Sequence, residues 1–146
     1  MKFRFSLEAL LNLREQRLEA LKEELTLLIS SLREAEAELQ GLRKRRAWYM
    51  EEFKERQRQG LSSLEILYYE DFLSDLEDKI HRQRMRVEEL KKGIERKRQE
   101  IIVASQELKM VQKLRQRRWA EFVKESRRQE GLMLDEFGMR RKAFPL

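Results

Sequence analysis

The sequence has 146 residues, 41% of them charged, with a formal net charge of +6, no cysteine and a single proline at position 145. This composition excludes disulfides and thiolate metal sites, and it leaves the interior of the chain free to be helical throughout. No apolar run is long enough to cross a bilayer, and the first residues lack the apolar stretch of a signal peptide, so we expect a cytoplasmic protein.

The first predicted element is a long helix over about residues 6–58. Apolar side chains recur at alternating spacings of three and four, which is the heptad seam of a coiled coil. Ser6 is the expected N-cap, and Phe5 and Leu10 have the spacing of a hydrophobic staple. The predicted seam positions are Leu7, Leu11, Leu18, Leu21, Leu25, Leu28, Leu32, Ala35, Leu39, Leu42, Tyr49 and Phe53.

A turn follows at about residues 59–62, within the segment 57–63. Gly60 can adopt positive φ and end the first helix. Ser62 and Glu65 have the spacing of a capping box, and Leu61 and Ile66 that of its staple, so a second helix should start at about residue 63. Because so short a connection places neighbouring helices antiparallel, the pattern predicts an α-helical hairpin.

The second predicted helix runs from about residue 63 to about 128. Gly131 and Gly138 indicate fraying beyond it and a flexible C-terminal tail. The segment from about residue 118 is expected to extend past the N-terminus. Its seam positions are Ile66, Tyr69, Leu73, Leu76, Ile80, Val87, Leu90, Ile94, Ile101, Ala104, Leu108 and Val111.

The predicted fold is therefore all-α, one long antiparallel two-helix coiled-coil hairpin spanning residues 1–146. The heptads fit an intramolecular hairpin and a swapped dimer equally well. Polar residues interrupt the seam, and we interpret them as register-setting residues that lower stability. They are Arg14, Arg46, Gln83, Lys97 and Arg115.

The sequence contains no arrangement of residues that is typical of a catalytic site. The one histidine, His81, has no second metal ligand at helical spacing, and the scattered glycines form no phosphate loop. A two-helix rod also offers no pocket that excludes water. We therefore expect no enzyme, no cofactor, no metal and no small-molecule ligand.

Basic clusters accompany both tryptophans, Trp48 and Trp119. Such clusters could grip nucleic acid through phosphate contacts and stacking. Acidic residues interrupt the clusters, however, and no nucleic-acid-binding motif is visible. The favoured interpretation is no nucleic-acid partner, with a nucleic-acid-binding hairpin kept as an alternative.

Three stretches of the chain resemble the FliJ family, a soluble component of the bacterial flagellar type III export apparatus. The first is FRFSLEALLNLREQ at the start, and the second is GLSSLEILYYEDFLSDLEDKI from Gly60. The third is RRWAEFVKESRRQEGLMLDEF, which contains Trp119 and ends at Phe137. The resemblance covers essentially the whole chain.

The resemblance implies an antiparallel coiled coil similar to the central stalk of rotary ATPases, without catalysis of its own. It implies insertion of the terminal end of the hairpin into a hexameric flagellar export ATPase. The cytoplasmic domain of the export gate membrane protein is the second implied partner, and substrate-specific export chaperones are the third. The implied location is the cytoplasm, with peripheral association at the inner membrane beneath the flagellum.

A gate-binding patch near the turn is also implied. Its candidate residues are Leu42, Tyr49, Phe72 and Leu76. Phe72 lies off the seam and should be at least partly exposed, with simple covering of the turn as the alternative. The other three lie on the seam, where packing between the helices is the competing explanation. The sequence departs from the family pattern, which has Tyr, Ala and His, at Arg45, Lys79 and Gln83.

The ATPase is assigned to the terminal end of the hairpin, where a basic surface would steer by complementary charge. Seam packing is again the competing explanation for the leucines. The candidate ATPase-binding residues are Leu7, Leu11, Arg14, Leu18, Arg115, Arg118, Trp119 and Phe122.

Other functions remain open at this point. The equivalent stalk protein of a virulence type III secretion system would have the same architecture. A generic coiled-coil scaffold without an ATPase partner would satisfy the same heptads.

Overall fold

The computed structural model describes residues 2–143, with side chains described as far as residue 139. Helix α1 spans Glu8–Gln59 and helix α2 spans Ser63–Ala143. The two helices pack against each other, and the described residues contain no strand. The predicted all-α helical hairpin is confirmed.

The connection between the helices has the predicted chemistry. Gly60 has φ of 104°, and its amide donates to the carbonyls of Arg56 at 3.0 Å and Gln57 at 3.2 Å. Because glycine adopts this left-handed conformation without strain, Gly60 ends α1 at little cost in backbone free energy. The hydroxyl of Ser62 then accepts the amide of Glu65 at 3.2 Å, which caps the start of α2.

The contacts between the helices form two compact units. One, the turn unit, is Leu21–Glu100, and the other, the terminal unit, joins Met1–Ala20 with Ile101–Leu146. In the turn unit, Ala35 and Leu39 of α1 pack with Ile80 and Val87 of α2 in one buried cluster. Leu21 is the most deeply buried of the described side chains, at 1% exposure.

The terminal unit has a core of its own. Leu11 and Leu18 of α1 are buried, as are Ala104 and Leu108 of α2. These residues, like the buried ones of the turn unit, all belong to the predicted seams. The exception among the described residues is Phe5, which is buried although it precedes the helix.

The polar seam residues of the turn unit each bond to the facing helix. Arg46 donates to Glu77 at 2.7 Å, and the Gln83 amide donates to the Ala35 carbonyl at 2.9 Å. Lys97 donates to Glu24 at 2.7 Å. Hydrogen bonds with Glu24, and then with Glu100, raise the pKa of Lys97.

The terminal unit repeats this arrangement. Arg14 donates to Glu107 at 2.7 Å, and Arg115 donates to Glu8 at 3.2 Å. In both units the partner in α1 moves towards the N-terminus as α2 advances, which is antiparallel pairing. Since each bond requires one particular alignment, the contacts are those that a register-setting role demands.

The two outer ends of the helices differ from the prediction. Helix α1 begins at Glu8 rather than at about residue 6, and the Ser6 hydroxyl accepts a bond from Arg118 at 2.6 Å instead of capping it. Helix α2 continues beyond residue 128 to Ala143. Gly131 and Gly138 have no positive φ, and a glycine inside a helix costs only about 1 kcal/mol relative to alanine. Residues 144–146 of the expected flexible tail lie outside the described part.

Within the described residues, neither helix has a stretch apolar enough, over a sufficient length, to span a membrane.

Candidate functional site

The leucines among the candidate ATPase-binding residues serve mainly to hold the terminal unit together. Leu11 and Leu18 are buried, and Leu7 is half-buried. Arg14 is committed to its ion pair with Glu107. These side chains therefore support the surface of the terminal unit and leave little exposed area for a partner to contact.

The aromatic members of the set lie together on α2 and receive the N-terminal segment. The ring centroid of Phe3 lies 5.1 Å from that of Trp119 and 5.5 Å from that of Phe122. Trp119 and Phe122 stack on each other at 5.8 Å, because residues three apart lie on the same face of a helix. Trp119 remains 50% exposed.

Two arginines complete this cluster. Arg115 lies 5.9 Å from the centroid of the Phe3 ring, and Arg118 lies 5.8 Å from that of Phe5. Both are favourable cation–π distances. Residues from Phe3 to Ser6 therefore run alongside α2 as far as Phe122, about one turn beyond the expected residue 118, and α2 continues past this contact to Ala143.

Phe3 and Phe5 lie in the first stretch that resembles the family, but neither was predicted to belong to a site. Their partners lie more than a hundred residues away, so no local periodicity connects them. The available signal was the match of two aromatics before α1 with two aromatics, Trp119 and Phe122, near the facing part of α2.

The candidate gate-binding residues fall together in the turn unit, at different depths. Leu76 is buried at 2% exposure, and Leu42 packs as a half-buried residue against the core cluster. Tyr49 and Phe72 are half-buried, and their rings meet edge to face at 4.5 Å. The partial exposure predicted for Phe72 is confirmed, and Tyr49 holds its ring in place.

The surface around this ring pair combines aromatic and charged side chains. A groove of about 330 Å³ is lined by four aromatic residues, Tyr49, Tyr68, Tyr69 and Phe72, together with Glu52, Arg56 and Glu65. Tyr68 is 76% exposed, and Trp48, whose ring lies 4.8 Å from Tyr49, is 61% exposed. Sequence reasoning did not assign either residue to the patch, although Trp48 and Tyr68 each directly adjoin a seam aromatic.

Leu64 and Leu67 enlarge the exposed apolar surface on the first turns of α2, at 78% and 55% exposure. Exposed large apolar side chains in one region of a protein mark a site of interaction with another protein. The arrangement suits burial of aromatic and aliphatic side chains against a partner.

The charged residues of the described part form no cluster of His, Asp and Glu able to hold a metal ion. His81 is exposed and lines a different groove, with Arg43, Arg46 and Arg84 as neighbours.

Comparison with known proteins gives one match. The family model described as flagellar FliJ protein matches residues 2–143. No curated protein and no solved structure matches the chain at a significant level. Since the family model covers nearly the whole sequence, the chain belongs to the FliJ family, which implies a non-catalytic component of the flagellar protein export apparatus.

Proposed function

We propose that the protein is a central-stalk-like activator of the flagellar export ATPase and couples that ATPase to the export gate. The observation that carries the proposal is the family match over residues 2–143. The antiparallel pairing of two long helices suits a stalk, because such a pair presents side chains to surrounding subunits all along its length.

The terminal unit is the proposed ATPase-binding part. Its surface combines the exposed face of Trp119 with cations that make no ion pair among the described residues. Three of them are spaced so that they share one face of α2. They are Lys113, Arg117 and Lys124. A basic face of this kind attracts an acidic pore lining and leaves few fixed contacts, as a stalk within a ring requires.

The turn unit is the proposed gate-binding part. Tyr49 and Phe72 supply the rings that a partner would contact. Leu76 is buried and Leu42 packs against the core cluster, so both would act by stabilising the turn unit. We extend the proposed surface to Trp48 and Tyr68, since both are exposed beside it. Association with the inner membrane would then be indirect, through the cytoplasmic domain of the gate protein.

A general chaperone role, in which the protein assists substrate-specific export chaperones, is part of the same proposal. The exposed apolar side chains near the end of α2 offer a surface for such partners. They are Leu132, Met133, Leu134 and Met139. The flagellar description of the matching family favours this system over a virulence secretion system or a generic scaffold.

The contacts of the basic residues decide which of them are suitable for testing the ATPase-binding surface. Reversing Arg115 or Arg118 would also break the bonds to Glu8 and Ser6, so loss of activity would be ambiguous. Reversing Lys113, Arg117 and Lys124 to Glu removes charge without breaking an ion pair of the described residues. The triple variant should retain helicity and lose stimulation of the export ATPase.

The matched control reverses three exposed cations of the turn unit that also make no ion pair. They are Lys92, Arg96 and Arg98. The control variant has the same net charge and should stimulate normally. Equal stimulation by both variants would remove this face of α2 from the ATPase interface.

A further inference from the structure

The turn unit carries a basic belt that the proposed function does not use. Residues 40–50 of α1 contain four basic and no acidic residues, and so do residues 79–87 of α2. The basic residues of the belt are Arg43, Lys44, Arg45, Arg46, Lys79, Arg82, Arg84 and Arg86.

The belt contains few ion pairs, as do Lys92, Arg96 and Arg98 further along α2. Among the described residues, Arg46 is the one member of the belt that pairs, with Glu77 at 2.7 Å. On one side of the belt, Lys54, Arg56 and Arg58 each pair with a glutamate of α1. On the other side, Lys91 pairs with a glutamate of α2. Seven neighbouring cations thus have no internal counter-charge.

A groove between the helices collects part of this charge. It has a volume of about 430 Å³, and its lining includes Ile80, His81 and three arginines, Arg43, Arg46 and Arg84. Its one acidic lining residue, Glu77, is already paired with Arg46. The Nε of Arg46 is buried and has no hydrogen-bond partner. An unpaired buried donor is unfavourable, so an acceptor entering the groove would improve the bonding of this guanidinium.

We infer that this groove binds carboxylates of a short acidic polypeptide segment in a protein partner. The planar guanidinium group of arginine can donate two parallel hydrogen bonds to a carboxylate. Arg43 and Arg84 make no hydrogen bond or ion pair through their guanidinium groups among the described residues. The inference concerns the groove itself, so it does not depend on which export component the partner is.

The length of the belt favours a short segment over a long polyanion. Eleven helical residues extend about 16 Å, which about five residues of extended peptide would cover. Acidic residues bound the belt, with Glu36 and Glu38 before it on α1 and Glu51 and Glu52 after it. A nucleic acid or an anionic membrane surface would meet these carboxylates, whereas a short acidic segment in the groove would meet only Glu77, which Arg46 already neutralises.

The test uses the full chain and fluorescein-labelled hexaglutamate, with binding followed by fluorescence anisotropy at low ionic strength. Hexaglutamate should bind, hexaglutamine should not, and affinity should fall as salt is added. The variant Arg43→Gln/Arg84→Gln should bind at least about threefold more weakly, since each exposed charge pair contributes modestly. The control Arg96→Gln/Arg98→Gln removes equal charge outside the groove and should bind as the unaltered protein does.

Three results would overturn the inference. One is no binding of hexaglutamate by a chain that circular dichroism shows to be helical. Another is equal weakening in the groove variant and the control, which would indicate net charge alone. The third is tighter binding of a hexameric oligodeoxynucleotide or of phosphatidylglycerol vesicles than of hexaglutamate, with the same loss in the groove variant.

Discussion

Leu76 and Phe72 distinguish a residue that supports the gate-binding surface from one that contacts the partner. Leu76 is 2% exposed among the seam residues of the turn unit, whereas Phe72 is half-buried with its ring against Tyr49. We therefore expect Leu76→Ala to act mainly on stability and Phe72→Ala to act mainly on binding.

The magnitudes follow from burial. Leu76→Ala removes about 2.4 kcal/mol of transfer free energy, taken at about 0.8 kcal/mol per buried methylene-sized group. The cavity adds to this, although two helices can close over part of it, so we expect about 2.5–3.5 kcal/mol in all. Phe72→Ala loses the ring pair and part of the apolar burial, for which we expect about 1–2 kcal/mol.

Thermal melts by circular dichroism measure both changes. At about 2–4 °C per kcal/mol, the Tm should fall by about 5–14 °C for Leu76→Ala and by about 2–8 °C for Phe72→Ala. Binding to the purified cytoplasmic domain of the gate protein is then measured well below both transitions. There Leu76→Ala should bind nearly as well as the unaltered chain, and Phe72→Ala should bind at least about tenfold more weakly.

The opposite pattern would refute this reasoning. If Leu76→Ala melts like the unaltered chain but fails to bind, Leu76 contacts the partner directly and its burial has been misread. If Phe72→Ala binds normally, the ring pair with Tyr49 serves the turn unit alone.

Three further predictions concern single contacts. Lys97→Gln should lower Tm at neutral pH, because the pKa of Lys97 is raised in the folded protein. The difference in Tm between the two proteins should persist below the unfolded pKa of about 10.4 and vanish as pH rises through the folded pKa, which melts across this pH range would show. Gly60→Ala should cost about 1–2 kcal/mol in denaturant titrations because φ is 104°, and an unchanged midpoint would contradict the strain argument. Phe3→Ala should increase acrylamide quenching of Trp119 while the quenching of Trp48 stays constant; unchanged quenching of Trp119 would count against the aromatic contact.

The seam and the turn were predictable because each depends on local chemistry. Leu21 and Ile80 are buried where the alternation of three and four places them, and apolar periodicity needs no knowledge of the partner helix. Gly60 and Ser62 act within a few residues of themselves. The partners of the polar seam residues were not predictable, since pairing Arg14 with Glu107 requires the register.

The terminal unit was less accessible to sequence reasoning. Packing of Phe3 on Trp119 joins residues that are distant in sequence and lies outside any helical repeat of α1. Gly131 and Gly138 were expected to mark fraying beyond residue 128, but they lie within α2 because neighbouring good helix formers outweigh their cost. The exposed surface around Phe72 depended on both helices, so Trp48 and Tyr68 were not assigned to it.

The most direct measurement is ATP hydrolysis by the purified cognate export ATPase, under conditions where its ring forms, with and without this protein. The account predicts stimulation by the unaltered chain and equal stimulation by Phe72→Ala, because that residue belongs to the proposed gate-binding surface. Absence of stimulation by the unaltered chain would contradict the central claim and favour a scaffold. Stimulation lost in Phe72→Ala alone would show that the ATPase and gate surfaces have been assigned to the wrong units.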